Sequence, residues 1–236
     1  MMLSGVVHSM TRRSAGSALL AASVLAAILL AGCKEDENNQ NPVTPSNGPD
    51  TPAEYTDRGW ERFEVANYSG ALSDFNAAVF LDPTFGEANT GQGWARLLQA
   101  TSPNSMRGAA STFVSAILNG ENGADVLAGR AAAYLGSGNS FLDAAAVDAQ
   151  AALAADADFV FVHRPSFNAE DLHLIEAFAQ AGKGNFTGAL SAADLVLNSN
   201  IYEGNAETWV VDGTTYDSFN GAVLAHLHLL SDQFSG

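Results

Sequence analysis

Cysteine is nearly absent from this chain: Cys33 is the only one in 236 residues. A disulfide framework needs pairs, so stability must come from a packed core. Basic residues are scarce as well, 10 Lys and Arg against 26 Asp and Glu, for a formal charge of −16. Nucleic acid is thereby disfavoured as a partner, and so is anionic lipid bound through charge. Neither phosphate neutralisation nor counterion release is available to such a surface. The longest apolar run, roughly residues 15–31, is too short and too alanine-rich for a membrane span, which takes about 20 strongly apolar residues.

Catalytic motifs are missing too. Gly91-x-Gly93 continues to Arg96 where a dinucleotide fingerprint requires glycine, and Gly182-Lys-Gly184 lacks the remaining residues of a phosphate loop. There is no Gly-x-Ser-x-Gly nucleophile elbow. His226 and His228 are two apart on a predicted helix and diverge by about 200°, so they cannot share a metal. His173 and Glu176 have i, i+3 spacing, but one such pair falls short of a site. Asp156 and Asp158 are not followed by a calcium loop of six to eight oxygens and read as a helix stop. With no nucleophile, metal cluster or paired acid, the expectation is a non-catalytic protein without a conventional cofactor.

What is present starts with the N-terminal segment. Arg12 and Arg13 precede the apolar run, which ends in Leu30-Ala31-Gly32-Cys33. A charged start, an apolar stretch and small residues at the cut site make a secretory signal. The segment resembles the signal peptide and lipobox of a bacterial lipoprotein. That resemblance implies cleavage before Cys33 and acylation of its sulfur and new amino group, with the lipid as membrane anchor. Met10, directly before Thr11-Arg12-Arg13, is an alternative start to Met1. Removing both arginines takes the formal charge to −18, since every acidic residue lies beyond Cys33. Lys34, not aspartate, follows the cysteine, and Glu35-Asp36-Glu37 come next. By analogy with lipoprotein sorting this implies the outer membrane, facing the periplasm or exposed on the cell surface. Residues 33–52 hold four of the seven prolines, Pro42, Pro45, Pro49 and Pro52, and have no apolar period. Such a stretch cannot bury enough surface to offset its ordering entropy and reads as a tether. Residues 1–32 are therefore assigned to the signal and 33–52 to the lipidated tether.

Residues 53–199 carry an internal repeat. Gly59-Trp60-Glu61-Arg62 recurs as Gly93-Trp94-Ala95-Arg96, a spacing of 34. Leu72, Phe75, Ala78, Val79 and Leu81 have helical apolar spacing, and Asp82-Pro83 ends that helix because the residue before proline is pushed out of the α region. With Tyr68, Ala71, Phe75, Ala78 and Pro83 at the expected spacings, the first unit resembles the tetratricopeptide (TPR) family. A second unit has Gly93, Ala109, Phe113 and Ala116 and ends at Asn119-Gly120, with glycine suited to the position after the cap. A third is marked by Tyr134, Phe141, Ala144 and Ala151, and a fourth by Gly184-Asn185-Phe186 and Ala189-Leu190 after a helix over residues 169–181. The predicted fold class is all-α, a TPR-like superhelix of about four helix–turn–helix units.

Residues 200–236 depart from the repeat. Asp212-Gly213 lies between strand-like runs within residues 208–216, which is a hairpin signal. A lone hairpin is marginal in water, so the β-branched and aromatic run 159–163 is expected to join it as a third antiparallel strand. A last helix over about residues 218–231 is expected to bury Val223, Leu224, Leu227 and Leu230 and to cap the array.

The TPR resemblance implies that first helices line a concave groove. Trp60, Trp94 and Phe178 then form a row of aromatics in that groove, open to a peptide, an extended strand or a sugar. Filling gaps between adjacent helices is the alternative role for these rings. Arg62 and Arg96 follow two residues on, as cationic rungs or as partners of Asp57, Glu61 and Glu64. The expected function is an outer-membrane-anchored scaffold that binds an envelope protein or peptide. A carbohydrate-binding lipoprotein of an uptake system and a self-assembling cell-surface subunit, a homo-oligomer, are the alternatives.

Overall fold

A computed structural model describes residues 49–233. The expected signal, the expected lipidation of Cys33 and most of the expected tether fall outside the described residues, as does the choice between Met1 and Met10. Eight helices form four antiparallel pairs: α1 Pro52–Glu64 with α2 Tyr68–Leu81, α3 Gly86–Gln99 with α4 Pro103–Leu118, α5 Ala124–Gly136 with α6 Leu142–Ala155, and α7 Ala169–Gly182 with α8 Phe186–Ala193. A 3-10 turn, Asn139–Phe141, leads into α6. The described residues thus form an all-α repeat array with the expected number of units.

Local chemistry sets the helix ends. Thr51 caps α1 in a capping box with Glu54, with Pro52 at the first position, where its missing N–H costs nothing. Ser102 and Pro103 repeat that arrangement at α4. Asn119-Gly120 closes α4 as read from the sequence. Gly120 has φ +99°, its N–H donates to Ile117 O, and the Glu121 N–H donates to Ala116 O, which is a Schellman cap. The Gly184 turn has the same pattern, with donation to Ala181 O and, from Asn185, to Gln180 O. A helix cap thus accounts for Gly182-Lys183-Gly184.

Each helix packs on the next in sequence, and the first helices of consecutive units also touch, α1 on α3, α3 on α5 and α5 on α7. Consecutive second helices make at most marginal contact, so the first helices form the tight inner side of the array. Phe75 and Phe113 fill the gaps between units. A Cβ at Gly59 or Gly91 would come within 2.6 or 2.3 Å of the Phe75 ring, and one at Gly93 or Gly129 within 2.7 or 2.3 Å of Phe113. Each ring therefore needs one glycine from its own unit and one from the next.

At the C-terminal end, β1 Val210–Val211 and β2 Thr214–Thr215 form the hairpin, with Asp212 and Gly213 both at positive φ. Helix α9, Phe219–Gln233, packs on α7, α8 and β1 and caps the array. Val223, Leu227 and Leu230 are buried as expected, whereas Leu224 is 41% exposed and belongs to the outer face. The third strand is a further correction. Among the described residues the sheet has two strands, and residues 159–163 join neither. Val160 instead makes an isolated bridge to Asn168 within the connection from α6 to α7. Phe159 and Phe161 are buried, so this segment has found a different apolar wall.

Candidate functional site

That wall is the inner face of the first two units. Gly59 and Gly93 keep each first helix close to its second helix, and the next residues, Trp60 and Trp94, belong to the inner cluster. The connection over residues 156–168 folds back over both. Phe161 stacks on Trp94 with ring centroids 4.1 Å apart and 16° between planes. His163 stacks on Trp60 at 3.8 Å and 2°. Phe167 meets Trp94 edge-on at 5.3 Å, and Phe161 also meets Phe63 and Trp60 edge-on. His163 Nδ1 lies 2.9 Å from Glu64 Oε1 at the rim. Trp60 is 5% exposed and Trp94 0%, so the expected open row of rings is closed by the chain itself. Stacking Phe161 and His163 on the two indoles takes apolar ring surface on both sides out of water, which is the physical reason.

The loop is largely self-supporting. Its backbone bonds stay within the segment: Phe161 N–H to Phe167 O and Ala169 N–H to Phe159 O join its two arms, and Arg164 N–H to Phe161 O and Phe167 N–H to Arg164 O close turns between them. Asn168 then caps α7 in a capping box with Asp171. Burial pushes the Asp171 carboxyl up to about 6, while the Asn168 backbone N–H and the Arg164 charge pull the other way. Two polar groups under the loop have no partner: the indole Nε1 atoms of Trp60 and Trp94.

The remaining predicted site residues lie elsewhere or are engaged. Phe178 is buried in the core and makes no ring contact with Trp60 or Trp94. Arg62 does not pair with Asp57, Glu61 or Glu64. Its Nη1 lies 2.9 Å from Asp74 Oδ2 and donates to Gly70 O. Asp57, Glu61 and Glu64 lie five, one and two positions from Arg62, not the three or four at which helix side chains meet, whereas Asp74 on α2 faces α1 directly. Arg58 grips the same carboxylate at 2.9 and 2.6 Å, and this bond raises its own pKa. Arg130 and Asp148 repeat the grip in the third unit. Arg96 donates to Thr112 Oγ1 at 3.1 Å. These arginines tie first helices to second helices and do not form rungs in the groove. His226 is held by Leu197 O, and burial depresses its pKa. Among the described residues no group of three metal-ligating side chains forms, and no helix is long and apolar enough to cross a membrane.

No family model matches the chain, and no curated protein matches it. Among solved structures, the crystal structure of YrrB, a TPR protein with an unusual peptide-binding site, matches with a TM-score of 0.52. The match covers 77% of this chain and 90% of YrrB at 16% identity. The fold is TPR-like. At that identity the likeness carries the architecture alone, and the TPR-like groove of this chain is filled by its own α6–α7 loop.

Sequence reasoning placed Trp60 and Trp94 on the inner face but missed Phe161, His163, Phe167 and Glu64. The signal for the first two was present in the alternation Phe159, Val160, Phe161, Val162, His163, which describes an extended segment with one face to bury. Asp74 and Asp148 were also missed; both are buried, and each is paired with arginine from the preceding helix, as a buried carboxylate needs.

Proposed function

We propose that this chain is a non-catalytic, protein-binding scaffold, anchored through lipid on Cys33 at the outer membrane, facing the periplasm or the cell surface. One observation carries the binding part: two tryptophans on the inner face seat a stretch of polypeptide, ring on ring. A surface that accepts Phe161 and His163 from its own chain has the chemistry to accept a peptide from another. The TPR-like architecture supports the same class, since the similar protein YrrB is described as having a peptide-binding site. The anchor rests on the Leu30-Ala31-Gly32-Cys33 motif and the acidic tether after it. A sugar-binding role has less support, because it is peptide side chains, Phe161 and His163, that fit the two indole faces.

Two experiments test this. Cells grown with labelled palmitate should label the parent and not Cys33→Ser, and label in both would remove the anchor. Cross-linking in intact envelopes, followed by capture of the full-length protein, should return a defined protein partner. Recovery of the uncross-linked chain alone would remove the scaffold reading.

A further inference from the structure

We infer that residues 156–168 are a resident ligand of the groove, and that the partner is a peptide with a phenylalanine-x-histidine or similar ring-x-ring motif, admitted when this loop lifts. The inference rests on the scaffold reading above and names the chemistry and the control of that same site.

The loop has the features of a bound peptide. Its residues alternate strictly, Phe159 and Phe161 inward at 3% and 1% exposure, Val160 and Val162 outward at 54% and 74%. The segment is extended up to Phe161, with Val160 bridged to Asn168, and then turns at Val162 and His163 as the Arg164 N–H donates to Phe161 O, so one ring reaches the wall from an extended stretch and the other from a turn, with alternate side chains filling the two seats. Two seats are defined. The Trp94 seat takes a flat apolar ring, and the Trp60 seat takes a ring with a polar edge, because Glu64 waits at its rim.

The fit is also incomplete in a way that favours replacement. Among the described residues, the loop's single hydrogen bond to the groove wall is the His163–Glu64 side-chain pair. Its backbone groups bond to one another, and both indole N–H groups stay buried without an acceptor. A buried donor left unpaired is costly. An incoming strand whose carbonyls are not committed to a neck of their own has acceptors to offer. The loop prevails in the free protein because it is tethered at both ends, which makes its docking intramolecular and its effective concentration high.

The probe is a synthetic peptide of residues 157–169, tested against the full-length protein by fluorescence anisotropy. The double variant Phe161→Ser/His163→Ser empties both seats. It should bind the peptide on the order of a hundredfold tighter than the parent does. A peptide carrying the same two serines should not bind. A variant that retains its helical circular dichroism yet binds no better than the parent overturns the inference. If the variant loses its helical signal, hydrogen exchange on the parent decides. The Phe161 and Phe167 amides should exchange through an opening smaller than global unfolding. Exchange only with the core of α3 overturns the inference. A partner captured equally well by parent and loop variant leaves the scaffold standing and removes the resident ligand. Peptide binding without any captured partner does the reverse.

Discussion

Phe161 lies flat on the indole of Trp94, roughly 230 Å of extended chain away in sequence yet 4.1 Å away in space. Both rings are closed to solvent. Phe161→Ala removes the ring and leaves Trp94 facing a void, at a cost of about 3–5 kcal/mol. Urea denaturation followed by circular dichroism measures it, and native tryptophan emission should shift to the red. A loss below about 1 kcal/mol would mean that the ring is not seated as described.

Asp74 receives two arginines while almost fully buried, whereas Arg58 and Arg62 are each about a third exposed. Removing the carboxylate leaves two cations that can rehydrate, so the cost is that of charged hydrogen bonds, about 2 kcal/mol for Asp74→Ala. Arg62→Ala should cost less, since Arg58 keeps its two-point grip. Equal losses in thermal unfolding would contradict this asymmetry.

Two glycine-to-alanine changes should have opposite signs. At Gly91 the new methyl would sit 2.3 Å from the Phe75 ring, and the repacking should cost about 1–3 kcal/mol. At Gly108, within α4, nothing lies within 4 Å, and alanine should add about 0.5–1 kcal/mol through its helix preference. Chemical denaturation of both variants on the same day is a sufficient comparison.

Asp171 makes stability depend on pH. Its carboxyl titrates near 3.8 in the unfolded chain and at about 6 in the folded one, with burial as the main cause and Arg164 and Glu170 as the facing charges. The folded state therefore holds this proton more tightly. The contribution is fully present below about pH 4 and is lost as pH rises to 6, a change of roughly 1–3 kcal/mol. Asp171→Asn keeps an oxygen for the Asn168 N–H and removes the titration. Its stability relative to the parent should rise between pH 4 and pH 7, and a constant difference would contradict the assignment.

Much of the architecture was legible in the chain. The 34-residue spacing of Gly59-Trp60 and Gly93-Trp94, and the glycine after Asn119, follow from close helix crossing and left-handed caps, which are local demands. Residues 159–163 were legible only in part. Their alternation declares one buried face, but the wall that receives it depends on the superhelix bringing residue 60 beside residue 163. No local pattern encodes that approach, and the hairpin at 210–215 offered a nearer sheet edge. Arg62 was misassigned for a similar reason, since its acidic neighbours in sequence point elsewhere on the helix while Asp74 approaches from α2.

Glu64 and His163 are 99 residues apart and in contact. In an ordinary solenoid each unit senses only its neighbours, so the ends fray and the pitch flexes like a spring. Here a strut runs from the entrance of the fourth unit back to the first, and it turns a linear stack into a closed circuit. The first unit cannot peel away without breaking that strut. The array should therefore melt in one step, and releasing the loop would restore the elasticity that the circuit suppresses.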